Sequence, residues 1–211
     1  MFPKPSEIPS EATISNLSSH HILCLVGSPN AWFLVPTTNQ ERRFAYDANL
    51  RGFKLAIIQY KRLSSINAYG GVSFSVDPSQ HGTLTSNFPA RGKSYVFYAY
   101  SNHKEYQSLA FDYEQIGSPQ FMTSMVFIDA HAVPTGVSTI REFPDGVVRA
   151  HIGGGQYSPP FAVADGIQFA ARLRSCSFGL TGSAAKRAVG TDFWEAADAP
   201  ANLHYFLWKM E

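Results

Sequence analysis

The nine residues Phe53-Lys54-Leu55-Ala56-Ile57-Ile58-Gln59-Tyr60-Lys61 constrain the fold more than any other stretch of the chain. They follow a turn-prone pair, Arg51-Gly52, and carry adjacent isoleucines, which suit a pleated surface, so the segment is predicted to be a strand. A second run, 94–100 (SYVFYAY), is expected to lie beside it in a mixed sheet. A third, Met122 to Ile128, adds a further strand, and Phe161 to Arg174 reads as a helix packed on the sheet. The 16 Phe, 10 Tyr and 13 Pro favour strands and loops over a helical bundle, and 45% hydrophobic content suffices for a core. The expected fold class is α/β (α+β), a mixed β-sheet flanked by helices. The expected division is an arm over residues 1–10 and a single domain over 11–211.

Side chains two apart on a strand share a face, so Gln59 and Lys61 point the same way and Tyr60 the other. If the segment around Asp47 pairs with this strand as a hairpin, a carboxylate, an amide oxygen and an ammonium converge. A carboxylate and a carbonyl oxygen are hard ligands suited to Mg²⁺ or Mn²⁺. A lysine beside the ion orients an attacking water and steadies charge developing on a phosphoryl group. Glu41, six residues before Asp47, is a candidate accessory ligand.

The order Asp47, then Gln59-Tyr60-Lys61, resembles the active-site signature of the PD-(D/E)xK nuclease superfamily in the form where Gln replaces the second acid. The resemblance covers residues 41–62, and Tyr46 stands where the family has Pro. It implies a restriction endonuclease-like fold, a magnesium-dependent endonuclease hydrolysing DNA, and catalytic roles for Asp47, Gln59, Lys61 and Glu41. It also implies metal ligation by Asp47, Gln59 and Glu41. In the family the helix before the core sheet often carries a glutamate facing the metal, a position that Glu11 matches.

Net charge is +1, so no global field demands a polyanion, but Arg42, Arg43, Arg51, Lys54, Lys61 and Arg62 crowd the motif against Glu41 and Asp47. Arg42, Arg43, Lys54 and Arg62 are the candidate contacts to a DNA backbone. Along the rest of the chain, Ser10 is placed to cap a helix with Glu11 in its first turn. Residues 22–26 continue that helix or form a strand, and Trp32 to Val35 is a short strand. Val72, Phe74 and Val76 alternate with serines as a half-exposed strand, and Gln80-His81 follows in a turn, at a place that resembles the position in restriction-type relatives where a polar pair begins a helix over the sheet. His81, and His103 beyond the 94–100 strand, are accessory candidates. Pro144-Asp145-Gly146 marks a hairpin. Gly153-Gly154-Gly155 lacks the Gly-Lys-Ser/Thr of a nucleotide loop and reads as a flexible loop that opens around substrate. The tail from His204 to Met210 is strand-like, fit for a sheet edge or a partner subunit.

Cys24 and Cys176 are too few for a disulfide scaffold and are expected as buried thiols. No apolar run of membrane-spanning length occurs and the N-terminus lacks a signal-peptide pattern, so a cytoplasmic protein is expected. The leading expectation is a DNA endonuclease of restriction or host-defence type, with a homodimer mate or a defence-system protein as its protein partner. The alternative is a non-catalytic DNA-binding or regulatory protein that retains the nuclease-like fold. A structural protein in which the motif is accidental is the third reading.

Overall fold

The computed structural model describes residues 6–27, 31–34, 53–67, 70–114, 120–175, 177–181 and 203–209. Asp47, Glu41, Arg42 and Arg43 lie outside these residues, as do Cys176 and the segment 183–195.

Helix α1, Glu11–Val26, begins where Ser10 accepts a hydrogen bond from the Thr13 N–H and ends at Gly27, whose φ of 66° closes the helix in the left-handed region. Residues 22–26 therefore extend the helix. Strand β1 is Ala31–Leu34 and β2 is Phe53–Tyr60. Short strands β3, Leu63–Ile66, and β4, Val72–Ser75, follow. Helix α2, Pro78–Asn87, comes next. Gln80 and His81 lie in the first turns of this helix, because Asp77 caps the Ser79 and Gln80 N–H groups and Pro78 is pre-set for the first helical position.

Strand β5, Val96–Ser101, leads to α3, Tyr106–Glu114, and α4, Gln120–Thr123. Strand β6, Met125–Asp129, starts later than the apolar pattern suggests, since Met122 belongs to the preceding helical turn. The hairpin at Pro144-Asp145-Gly146 joins β7, Thr139–Glu142, to β8, Val148–Gly153. The triple glycine is a tight turn into β9, Gln156–Tyr157, with φ of 95°, 56° and 76° at its three residues. Those left-handed angles are what a sharp reversal needs and what glycine adopts without strain. The expected helix from Phe161 starts only at Gly166, because 163–165 pair with β6 as β10, Val163–Asp165. Asp165 then caps α5, Gly166–Arg174. Strands β11, Leu180–Thr181, and β12, Leu203–Lys209, complete the fold.

The described strands form two sheets. The larger has the order β1-β12-β2-β5-β6-β10, with β11 also on β2, and the smaller runs β3-β4-β7-β8-β9. Strands β2 and β5 are parallel, with Gln59 level with Tyr98, and the other pairs of the larger sheet are antiparallel. The expected neighbour relation of 53–61 and 94–100 in a mixed sheet holds. The C-terminal strand is not at an edge: it lies between β1 and β2 and pairs with β2 from Phe53 to Gln59.

Alternation in β2 and β5 separates two cores. Leu55, Ile57, Val96 and Tyr98 face the second sheet and α2, where they meet Phe74, Leu84 and Phe88. Ala56, Ile58, Tyr60, Phe97 and Ala99 face α1, α4 and α5, meeting Ile14, Phe121 and Phe169. The result is a mixed α/β fold of two sheets flanked by helices. Among the described residues no helix is long and apolar enough to cross a membrane. Cys24, expected as a buried thiol, is exposed on α1.

Candidate active site

The C-terminal end of β2 carries the chemistry. Gln59 and Lys61 share the α2 side of the sheet, and both are buried, at 2% and 9% exposure. Lys61 lies just past the strand, yet its N–H continues the ladder to the Ala99 carbonyl at 2.8 Å. Above them Gln80 projects from the first turn of α2. Its Oε1 accepts from Gln59 Nε2 at 2.8 Å and from Lys61 Nζ at 3.2 Å. The Tyr98 ring lies below the ammonium, 5.7 Å from Nζ to its centroid, within range of a cation–π contact.

Two features set this cluster apart from ordinary buried polarity. The Gln59 Oε1 atom is buried with no hydrogen-bond partner, although buried polar groups are nearly always paired. Leaving such an atom unpaired costs about 1–3 kcal/mol. The Lys61 ammonium uses one of its three donors, on Gln80. Burial pulls its pKa below the usual lysine value, while the Glu11 and Asp77 carboxylates push it back up.

Glu11 reaches the same strand end from α1. Its Oε1 accepts the Arg62 N–H at 3.1 Å, and Arg62 Nη2 donates to the Ile8 carbonyl at 3.2 Å. Beside them opens a cleft of about 580 Å³, walled by Ser10, Glu11, Asn16, Tyr60, Arg62 and His204. His204 is buried, its Nδ1 has no partner, and desolvation lowers its pKa to about 4. The structure therefore brings together Glu11, Gln59, Lys61 and Arg62.

Three other candidates lie elsewhere in the network. Lys54, 4% exposed, lies five residues back along β2 on the opposite face from Gln59, roughly 17 Å away along the strand. His81 supports the site from behind. Its Nε2 must donate to the Val133 carbonyl at 3.1 Å, so its Nδ1 accepts from the Tyr98 hydroxyl at 2.9 Å. Burial lowers its pKa, and both ring nitrogens are engaged. His103 sits on the α1 side of the sheet, stacked on Phe121. Its Nε2 bonds Asp112 at 2.8 Å and its Nδ1 takes the Ser101 hydroxyl. It is held inside a buried Ser–His–Asp array, away from Gln59.

Gln80 and Asp77 were missing from the sequence-derived set. Their signal was the Asp77-Pro78 helix start, which puts Gln80 at the third helical position. Mg²⁺ takes hard oxygen ligands, and the free Gln59 Oε1 fits that chemistry. Among the described residues no group of three or more His, Cys, Asp or Glu side chains is placed to hold a metal ion. The expected ligands Asp47 and Glu41 lie outside those residues. Set against known proteins, the sequence matches no family model, and neither curated proteins nor solved structures give a significant match.

Proposed function

We propose that the chain is a metal-dependent endonuclease acting on DNA, with its centre at the C-terminal end of β2 and a restriction endonuclease-like core. The observation that carries the proposal is the buried pair of Gln59 Oε1, without a partner, and Lys61, with unused donors, on one face of one strand. The parallel β2–α2–β5 unit, preceded by α1 with Glu11 at the strand end, supports the fold reading. Gln59, with Asp47 and Glu41, would hold a magnesium or manganese ion, which when bound acidifies water and neutralises phosphoryl charge.

The chain's own residues would do the rest. Lys61 donates toward the oxygen of an attacking water or a non-bridging phosphate oxygen, in a site dry enough for one charge to count. Gln80 fixes the Lys61 side chain and the Gln59 amide together, so Gln59 Oε1 faces away from Gln80. Arg62, exposed at the strand end, offers its remaining guanidinium donors to a neighbouring phosphate. One observation favours the non-catalytic alternative, a DNA-binding protein that keeps this core: the Gln59 amide is already tied to Gln80.

A Mg²⁺-dependent cleavage assay on plasmid and oligonucleotide DNA separates the two. Lys61→Met keeps the methylene stem and should keep the fold. It is expected to lower cleavage by about a hundredfold or more, the loss of roughly 3 kcal/mol of transition-state stabilisation. Full activity in Lys61→Met with an unchanged thermal melt would remove Lys61 from the reaction and the proposal with it. Chelator-insensitive DNA binding without any cleavage would select the alternative.

A further inference from the structure

The outer face of the smaller sheet bears an arrangement that folding alone disfavours. Arg141 on β7 and Arg149 on β8 are directly opposite each other in the antiparallel ladder. Like charges at such positions destabilise the pair. Among the described residues neither guanidinium forms an ion pair; the pairs present both involve histidines elsewhere. Each is steadied by a neutral acceptor instead. Arg141 Nη1 donates to the Tyr157 hydroxyl at 2.8 Å with its guanidinium 5.8 Å from that ring, and Arg149 Nη1 donates to the Ser158 carbonyl at 3.1 Å. Both side chains are half-buried, so they are held in place rather than dispersed in solvent.

The same face is rich in hydroxyls. Ser73, level with Arg141 across the ladder, is itself buried, and its hydroxyl lies 2.7 Å from that of the exposed Ser65. His151 packs on Tyr157 at the other flank. By alternation no Asp or Glu of β3, β4, β7, β8 or β9 points outward. The nearest acid in the ladder, Glu142, turns inward to the Tyr100 hydroxyl and Asn102. Two ordered guanidiniums among serine and tyrosine hydroxyls, with carboxylates kept off the face, are the contacts that position a nucleic-acid backbone.

We infer that this face, centred on the Arg141–Arg149 pair, binds the phosphate backbone of nucleic acid without reading its sequence. Strand β3 begins two residues beyond Lys61 and is the edge of this sheet. Arg141 and Arg149 lie two and three strands across from it, roughly 10 Å and 14 Å at sheet spacing. That is close enough for one bound molecule to meet both the face and the strand end. The inference goes beyond the catalytic reading and does not need it, since the face would bind whether or not the chain cuts.

The test is a titration of labelled duplex DNA into the full chain with chelator present, repeated across a salt series, with single-stranded DNA as a second arm. Arg141→Gln with Arg149→Gln is expected to weaken binding about tenfold or more and to lower the log–log salt slope by about 2. Arg172→Gln, on α5 across the larger sheet, should change neither. Arg141→Glu is the sharpest variant: it places opposite charges across the ladder, so the melting temperature should hold or rise while binding falls. Affinity and slope unchanged in the double variant, no binding by the wild type, or an equal loss in Arg172→Gln would each overturn the inference. So would equal competition by polyglutamate. Single strands carry the same phosphates and should show the same dependence on Arg141 and Arg149 with a shallower salt slope, and single-strand binding indifferent to both residues overturns the inference. A chain that binds through this face but never cuts sinks the catalytic reading alone. One that cuts, with affinity indifferent to Arg141 and Arg149, sinks this inference alone.

Discussion

The Gln80 Oε1 atom accepts two hydrogen bonds from buried donors, so its loss should be felt at both. Gln80→Ala is expected to destabilise the fold by about 1–3 kcal/mol, because Gln59 Nε2 and Lys61 Nζ lose their acceptor. Gln80→Glu keeps that acceptor and adds a charge opposite Lys61, so urea unfolding should show most of the stability retained. His204 gives a pH signature. Its folded pKa, about 4, lies below its unfolded value of 6.5. The unfolded state therefore binds the proton first, and the stability contributed by a neutral His204 is present above pH 6.5 and lost as pH falls toward 4. Between about pH 7 and about pH 5 that loss is about 2 kcal/mol. His204→Phe, which keeps a ring against Tyr60, should show a correspondingly smaller drop in denaturant midpoint over the same range.

At the scale of elements, two glycines that look alike in sequence behave oppositely. Gly82 lies inside α2, and a Cβ there meets nothing within 4 Å. Gly82→Ala should stabilise the fold by about 0.5–1 kcal/mol, through the entropy a helical glycine loses. Gly166 opens α5 against the α4 turn, and a Cβ there would stand 2.7 Å from the Met122 carbonyl oxygen. Gly166→Ala should destabilise by about 1–3 kcal/mol, since backbone must move to admit it. Urea melts of the two variants side by side check both signs. Helix α2 depends on such local terms, because serine, threonine and asparagine give it little helix propensity. It is held by the Asp77 cap and by His81, Leu84 and Phe88 packed beneath it.

At the scale of the whole molecule, the C-terminal strand is central to the larger sheet. Strand β12 fills the position between β1 and β2 and brings Phe206 into the core against α1 and α5. Deleting residues 203–211 should therefore do more than trim an end. It leaves β2 with only the two-residue β11 as an antiparallel partner and β1 without the pairing that joins it to the sheet. The expected result is loss of a cooperative thermal transition by circular dichroism, with poor solubility from the exposed strand edge. A native-like melt in the truncated chain would show that the β2–β5–β6 core stands without it.

What the sequence by itself determined was local. The strand at 53–61, its neighbour at 94–100 and the shared face of Gln59 and Lys61 follow from β-branching, length and period-two alternation, which act within a few residues. The Ser10 cap and the Pro144-Asp145-Gly146 hairpin are legible for the same reason. Only the tertiary structure decided that β12 enters the middle of the sheet, that 72–75 and 139–157 build a second sheet, and that 163–165 leave the helical pattern to pair with β6. It also decided that Gln80 and Glu11 reach the end of β2 while Lys54 stays on the far face. These are pairings between segments tens of residues apart, and apolar patterning says which face of a segment is buried but not against what. The partner is chosen by the joint packing of both cores, to which no single stretch of sequence has access.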